Sequence, residues 1–321
     1  MKIWATLFVL AISMSCFSQT YPEVSISNGL IKATIYSPEP QSGYYQGTRF
    51  DWAGVINSLE FNDHEYFGVW NPRSEYGLHD AITGPVDEYM VIGYDEVPVG
   101  ENFIRVGVGA LRKQEEESFS RFKTYEIADY GKRKSKVKKN KSVYSQKLST
   151  ESGYAYLYKK ELVLEEGTSV LTLKYSLKNT GKKPIVTSAY NHNFFMFDSE
   201  PTNQNIKTSF SFIPNADGHG FGSIAEIKGQ SIVYNREVQN KETVFSADLM
   251  AEEKSSTKYD LNIENTKTGA GVHISSAMPV EKMVYWACAT TSCPEPYINI
   301  SVAPGETLQW FINYEFKSKK Q

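Results

Sequence analysis

The sequence predicts a large all-β protein, and three observations support that fold class. Aromatic residues make up 13% of the 321 residues, with 21 Tyr and 17 Phe, and such side chains favour half-buried pleated surfaces. The 22 Gly and 13 Pro are typical of a chain with many turns. Apolar and polar residues alternate in many segments, whereas no window of a dozen residues sustains the 3.6-residue period of a helix. Helices are therefore expected only as short connectors.

The overall charge and hydrophobicity exclude several classes of protein. The chain is 40% hydrophobic and 22% charged, which is too apolar for a disordered chain and too polar for a multispanning membrane protein. Lys and Arg number 34 against 37 Asp and Glu, giving a net charge of −3. This balance gives no reason to expect nucleic acid or an anionic membrane as the main partner.

The first 18 residues resemble a signal peptide. A basic start at Lys2 precedes the mostly apolar run Ile3–Met14, which is too short for a comfortable membrane span, and Cys16–Ser18 offers a small-x-small cleavage pattern. Gln19 would then be the new N-terminus, and the protein would be exported to the periplasm or secreted. Lipidation of Cys16 is the alternative, but Ser13-Met14-Ser15 is a poor lead-in for it.

Strands are expected wherever the period-two alternation is clear. In chain order they are Ile31–Tyr36, Val55–Phe61, Phe103–Leu111, Tyr154–Tyr158, Leu171–Leu177, Ile185–Phe195, Tyr259–Glu264, Gly271–Ser276, Met283–Ala289 and Trp310–Phe316. Turn signals such as Asn28-Gly29, Glu166-Gly167 and Pro304-Gly305 separate them. No internal repeat or linker-like shift in composition interrupts the chain, so residues 19–321 are expected to form one domain.

A strongly basic segment lies between two of these strand regions. Gly131–Lys141 carries seven Lys or Arg in eleven residues. One interpretation is a patch for acidic polysaccharide; the other is the solvated tip of a long hairpin, whose charges keep it from pairing with other chains. The second is favoured, because Tyr125–Ile127 and Val143-Tyr144 flank the segment as strand sequence would.

The cysteines and histidines indicate neither a disulfide framework nor a metal site. Export would permit a Cys288–Cys293 disulfide, but a spacing of five places the two on opposite faces of a straight strand, so free buried thiols are favoured. The five His are scattered without zinc-ligand spacing. The sequence also lacks the Gly-x-Ser-x-Gly elbow of serine hydrolases, and no cofactor is expected.

An exported β protein rich in Tyr and Trp suggests a carbohydrate ligand, and two loops carry suitable side chains. Arg49 and Trp52 lie in Gly47–Gly54, where a guanidinium beside an aromatic ring could orient a polyol. The alternative is a structural pair of Arg49 with Asp51. His79 lies in a loop bounded by Gly and Pro, where binding residues concentrate, although a loop His is as often simple surface.

Two further segments carry side chains suited to proton transfer. In Tyr190–Phe195, alternation places His192 on the same face as Phe194, and a half-buried imidazole can move a proton near neutral pH. Glu295 stands between two prolines, so we expect a rigid carboxylate at a bulge or strand edge. Apolar surroundings would raise its pKa towards a useful range. A satisfied core His and an ordinary loop Glu are the alternatives.

Together these residues resemble the aldose 1-epimerase (galactose mutarotase-like) superfamily over the whole region after residue 18. The resemblance is carried by the segment with Arg49, the Leu-His motif at His79, the Asn-His-x-x-Phe motif that begins at Asn191, and the Cys-x-Glu motif that ends at Glu295, in the same order. It implies a β-supersandwich of two large antiparallel sheets.

The resemblance also implies an activity, the interconversion of α and β anomers of a reducing hexose or oligosaccharide end. Glu295 would be the general base and His192 the general acid, while Arg49 and His79 would bind sugar hydroxyls. Asn191 and Trp52 are further candidates for substrate binding, and Asp217 is a weaker one. Two alternatives stay open on the same scaffold: a carbohydrate-binding protein without turnover, and an accessory lyase or hydrolase that uses other residues.

Overall fold

The structure, a computed structural model, describes residues 20–72, 77–250 and 259–319. The expected signal peptide, residues 1–18, and its Cys16 lie outside these ranges. Within the described ranges, no helix has the length and apolar character that crossing a membrane requires. The only helical turn among them is a short 3₁₀ segment, Phe197–Ser199.

The described residues form 22 strands. The first eleven are β1 (Glu23–Ser27), β2 (Ile31–Tyr36), β3 (Val55–Phe61), β4 (His64–Glu65), β5 (Gly84–Tyr89), β6 (Asn102–Arg105), β7 (Gly109–Arg112), β8 (Ile127–Asp129), β9 (Lys132–Lys138), β10 (Lys141–Ser149) and β11 (Ala155–Leu164). The others are β12 (Val170–Asn179), β13 (Ile185–Phe194), β14 (Ile206–Phe210), β15 (Ala225–Lys228), β16 (Ser231–Tyr234), β17 (Val244–Ser246), β18 (Tyr259–Asn265), β19 (Ala270–Ser276), β20 (Lys282–Ala287), β21 (Ser292–Val302) and β22 (Thr307–Ser318).

These strands pair into antiparallel sheets, as the sequence predicts. A ten-stranded sheet has the order β15-β16-β14-β18-β19-β22-β12-β11-β10-β9, and a five-stranded sheet has the order β17-β20-β21-β13-β5. A four-stranded sheet, β1 to β4, and a three-stranded sheet, β6 to β8, complete the described fold. The predicted all-β class with large antiparallel sheets is confirmed.

The core follows from the alternation of side chains along the strands. In β12, Leu171, Leu173, Tyr175 and Leu177 are all buried, because successive side chains point to opposite faces and these four share the inner one. The ring of Tyr175 stacks on that of Trp310 in the neighbouring strand β22, with centroids 4.9 Å apart. Such cross-strand aromatic pairs are a main source of sheet stability.

Tyrosines of the ten-stranded sheet reach across the core to β13 of the five-stranded sheet. The hydroxyl of Tyr259 donates to Oδ1 of Asn191 at 2.9 Å, and that of Tyr314 donates to Oδ1 of Asn193 at 2.9 Å. Asn191 and Asn193 therefore face the core between the sheets. Since side chains alternate, His192 and Phe194 point to the other face of the five-stranded sheet.

Most predicted strands lie where the alternation places them, and one divides in two. Ile31–Tyr36 and Val55–Phe61 coincide with β2 and β3. The predicted strand Phe103–Leu111 is instead a tight hairpin of β6 and β7. Gly107 allows the turn because its φ is +79° and because a Cβ atom there would lie 2.3 Å from Oδ1 of Asp51.

The basic segment contains the tip of a hairpin, as predicted, but most of it is a strand. Lys132–Lys138 forms β9, the last strand at one edge of the ten-stranded sheet, and it pairs with β10 across a turn at Lys139-Asn140. The segment is largely exposed, as expected. Arg133 is an exception, because its Nη2 donates to the carbonyls of Gly107 and Val108 at 2.8 and 2.7 Å.

Cys288 and Cys293 are free thiols in the structure, which is the favoured prediction. They do not share a straight strand, because a turn between β20 and β21 separates them. Cys293 is buried, and burial raises the pKa of its thiol well above the usual value.

Candidate active site

A pocket of about 400 Å³ lies on the face of the five-stranded sheet that points away from the core. This volume falls in the range typical of small-molecule sites. Strands β13, β17, β20 and β21 provide its floor, and loops after β2, β4 and β7 provide its walls. Its charged and imidazole side chains are Arg49, His79, Asp80, Arg121, His192, Lys282 and Glu295, and its apolar and aromatic ones are Trp70, Phe122, Phe194, Phe245, Ala247, Val284, Trp286 and Tyr297.

The register of β13 and β21 places His192 directly opposite Glu295. The ladder runs from Ile185 opposite Val302 to Tyr190 opposite Tyr297, and an isolated bridge between Phe195 and Ser292 keeps the same register. Directly opposite side chains share a face and approach closely. Accordingly, His192 Nε2 lies 3.2 Å from Glu295 Oε1.

Glu295 lies in the middle of the sheet, so the predicted position at a bulge or strand edge is wrong. β21 pairs with β20 on one side and with β13 on the other. Pro294 and Pro296 have no N–H to donate, and the ladder with β13 is interrupted between Tyr190 and Phe195. The Asn193 side chain compensates in part, because its Nδ2 donates to the Pro294 carbonyl at 2.9 Å.

Burial dominates the electrostatics of this pair. Each of the two residues is only 4% exposed. Burial raises the pKa of Glu295 to about 8, against the opposing influence of Arg49. Burial also lowers the pKa of His192 well below 6.5, and the positive charges of Arg49 and Arg121 lower it further. The imidazole is stacked on Phe194, with ring centroids 3.8 Å apart, which keeps water from that face.

These shifts reverse the resting protonation states that the sequence suggests. At neutral pH, the raised pKa of Glu295 favours its protonated form and the lowered pKa of His192 favours its neutral form, instead of a carboxylate and an imidazolium. The pair still contains one acid and one base. Because the two side chains are within hydrogen-bond distance, a single proton can be exchanged between them.

A buried carboxylate behind the pocket holds the arginines in place. Glu88 accepts from Arg49 Nε at 2.7 Å and from Arg105 Nη2 at 3.2 Å, and Arg121 Nε lies 3.6 Å away. Burial alone would raise the pKa of Glu88, but the three guanidinium groups outweigh it and lower that pKa. Arg49 Nη2 also donates to the Tyr190 hydroxyl at 2.9 Å. The guanidinium of Arg49 is thus oriented at the pocket wall.

The structure brings four of the seven predicted site residues to this pocket. Arg49, His79, His192 and Glu295 all line it. The His79 ring lies against that of Phe122, with centroids 5.2 Å apart, so its loop packs on another wall of the pocket.

The other three predicted residues do not line the pocket, and these positions do not support a role in binding substrate. Asn191 points into the core, where its Nδ2 contacts Asp87. Trp52 is buried with its Nε1 donating to the Gly47 carbonyl at 2.8 Å. Asp217 is exposed on a loop outside the lining residues.

Several lining residues were not singled out from the sequence. Arg121 comes from the loop between β7 and β8, and Lys282 begins β20. Trp70 stacks on Phe194 with centroids 5.0 Å apart, and Trp286 meets Trp70 edge-on at 5.4 Å. Of these residues, only Lys282 and Trp286 could have been grouped from the sequence, because alternation along β20 places them on one face of the strand.

The described residues contain no cluster of three or more His, Cys, Asp or Glu that could hold a metal ion. The site that they do form combines the pair of His192 and Glu295 with oriented cations and an aromatic floor. Such a site can donate one proton and accept another at the same time.

Solved structures share this architecture. The galactose mutarotase related enzyme from Lactobacillus acidophilus aligns with a TM-score of 0.51 and 13% identity, covering 93% of this chain and 100% of its own. A galactose mutarotase-like protein from Clostridium acetobutylicum aligns with a TM-score of 0.53 and 14% identity, covering 92% of this chain and 95% of its own. An aldose epimerase homologue from C. elegans aligns with a TM-score of 0.53 and 13% identity, covering 94% of this chain and 100% of its own. No protein-family model and no curated protein sequence matches the chain.

These comparisons define the fold. The chain has the galactose mutarotase-like fold, so the resemblance stated from the sequence is confirmed at that level. At sequence identities of 11–14%, these structures show the fold and do not show the activity, which depends on the residues of the site.

Proposed function

We propose that the protein is an aldose 1-epimerase-like enzyme that interconverts the α and β anomers of a reducing sugar. The observation that carries the proposal is the pairing of His192 with Glu295, 3.2 Å apart and both almost fully buried in a pocket of small-molecule size. Anomerisation needs one proton donor and one proton acceptor at the same carbon centre, and this pair supplies both.

In the proposed mechanism the pair protonates the ring oxygen and deprotonates the C1 hydroxyl. The bond between C1 and the ring oxygen breaks, C1 becomes an aldehyde, and rotation about the bond from C1 to C2 exposes its other face. Ring closure then returns each proton, so no net proton is gained or lost. From the resting state Glu295 is the donor and His192 the acceptor; transfer of the proton within the pair gives the opposite assignment, which the resemblance implies.

The remaining lining residues suit a sugar. Trp70, Trp286 and Phe245 offer aromatic surface on which the C–H faces of a pyranose can pack, and Arg49 and His79 offer polar contacts for hydroxyl groups. We expect a hexose or the reducing end of an oligosaccharide. The first 18 residues support export, so the substrate would be met outside the cytoplasm.

The test is the rate at which freshly dissolved α-D-glucose or α-D-galactose approaches its anomeric equilibrium, followed by polarimetry or NMR. The wild-type protein should accelerate it. His192→Ala and Glu295→Ala should each lose most of the acceleration, since each positioned proton transfer typically contributes about 10²–10⁴-fold. Glu151→Ala, at an exposed position in a turn, is the matched control and should keep the wild-type rate.

Two outcomes would contradict the proposal. A folded wild-type protein that binds sugar without accelerating anomerisation would be a carbohydrate-binding protein on this scaffold. Acceleration that survives in both His192→Ala and Glu295→Ala would assign the chemistry to other residues of the pocket.

A further inference from the structure

The outer face of the ten-stranded sheet carries an unusual concentration of positive charge at one end. On the edge strand β9, Lys132, Lys134, Lys136 and Lys138 alternate with inward-pointing residues and therefore share the outward face. A row of lysines on an edge strand has a simple structural explanation, because it discourages pairing with other chains.

The lysines extend well beyond the edge, which that explanation does not require. The register places Lys141 and Lys147 of β10, Lys159 of β11, and Lys174 and Lys178 of β12 on the same outward face. Strands β10 to β12 are fully paired on both sides and need no protection. The face formed by these nine lysines on β9 to β12 is called the lysine face below.

Few carboxylates neutralise the lysine face. Glu161 is the one acidic residue that the four strands, all of them described, place on the outward face, and it pairs with Lys141 and Lys159. Glu165, in the turn after β11, lies 3.1 Å from Lys174. The face is therefore strongly positive, although the whole chain has a net charge of −3.

Two pairs of lysines lie directly opposite each other. Lys132 is opposite Lys147, and Lys138 is opposite Lys141. Like charges at directly opposite positions destabilise a sheet. Glu161 already offsets part of the repulsion at Lys141, and an anion bound between Lys132 and Lys147 would remove the repulsion there.

The lysine face continues into a depression of about 550 Å³ where β12 meets β22. Lys159 and Lys174 stand on its β11 and β12 side, and Ser176 and Gln309 offer a hydroxyl and an amide. Glu161, Tyr175, Trp310 and Phe311 complete the lining, and Glu161 is already paired with Lys159. Phe311 is 44% exposed, although aromatic side chains in sheets are usually covered. Cations, hydrogen-bonding groups and an exposed aromatic ring therefore lie side by side.

We propose that the lysine face and this depression bind an acidic polysaccharide. Such a polymer carries one carboxylate or sulfate on each sugar, so a single chain can contact several of these lysines at once. Its sugar rings have the apolar faces and hydroxyls that Phe311, Gln309 and Ser176 would contact. Single-stranded nucleic acid is the weaker match, because it is bound on successive aromatic side chains and this face offers one exposed ring.

The proposal is tested with a polygalacturonate oligomer as the probe and a neutral amylose oligomer of the same length as the control polymer. Wild-type protein should bind the first and not the second, and the affinity should fall as salt is added. The triple variant Lys134→Gln, Lys136→Gln and Lys178→Gln should bind at least about tenfold more weakly at low salt. A matched variant with the same change in charge, Lys228→Gln, Lys241→Gln and Lys267→Gln, changes exposed lysines of β15 and of the turns before β17 and after β18, and it should bind like wild type.

Equal losses in the two triple variants would overturn the proposal, as would tighter binding of an oligothymidylate or of phosphatidylglycerol vesicles than of polygalacturonate. Circular dichroism establishes that each variant is folded. Should the first triple variant not fold, the single variant Phe311→Ser addresses the same site at a position that is already exposed, and unchanged affinity there would likewise overturn the proposal. The pocket of His192 is separate, so anomerisation activity is not part of this test.

Discussion

Replacing Glu295 by Gln should change how the stability of the protein depends on pH. The wild-type carboxyl has a pKa of about 8 when folded and about 4.5 when unfolded. Between these values the folded chain retains a proton that the unfolded chain has lost, so the free energy of unfolding falls as pH rises. The slope is about 1.4 kcal/mol per pH unit for one proton. Glu295→Gln has no such proton and should lack this fall.

The clean interval is pH 6.5 to 8, because His192 contributes with the opposite sign below it. Burial lowers the pKa of that imidazole below 6.5, so in more acidic solution the unfolded chain binds the extra proton and stability rises with pH. Above pH 6.5 the unfolded imidazole also loses its proton, so the effect of Glu295 dominates, and its contribution over the interval is about 2 kcal/mol.

Urea unfolding at several pH values, with wild type and Glu295→Gln compared at each, measures this difference. The variant should gain about 2 kcal/mol relative to wild type from pH 6.5 to 8, whereas the exposed control Glu151→Gln should not. A constant difference would mean that burial does not raise the pKa of Glu295. A difference of the opposite sign would mean that the unfolded chain, and not the folded one, holds the extra proton in this interval.

Three further predictions concern the pocket. The anomerisation rate should decline above about pH 8, where the pair of His192 and Glu295 loses its shared proton, and it should stay level as pH falls through 6.5. A pH–rate profile with a midpoint near pH 6.5 would contradict this, because it would mean that the pKa of the imidazole is not lowered. Arg49→Lys should lower kcat/KM about tenfold or more, because an ammonium cannot contact Glu88 and Tyr190 with the same planar geometry. An unchanged kcat/KM in steady-state kinetics would contradict this. Asp217→Asn should keep kcat/KM within about twofold of wild type, and a larger loss would return this exposed residue to the site.

Alternation predicted much of the fold because one face of each strand is buried. It placed β2 and β3 at their observed bounds. It could not place the division between β6 and β7, where the turn depends on the close approach of Asp51 to Gly107 from a distant part of the chain. The position of β9 at a sheet edge also depends on the order of strands, which local pattern does not contain.

The candidate site was predictable where local sequence limits the side chain and not where distant loops meet. The prolines beside Glu295 indicated a rigid carboxylate, although they interrupt a ladder inside the sheet instead of marking its edge. Alternation separates Asn191 from His192, and applied strictly it excludes Asn191 from the pocket. Glu88 and Arg121 were not predicted, because their contact joins β5 to the loop between β7 and β8.

The most direct test of the paired proton carriers is the anomerisation rate of the double variant His192→Gln and Glu295→Gln beside the two single variants. If the two side chains act as one unit on one proton, each single variant should lose most of the acceleration and the double variant should lose little more. Losses that add in free energy, or a single variant that keeps the wild-type rate, would contradict a shared proton between His192 and Glu295.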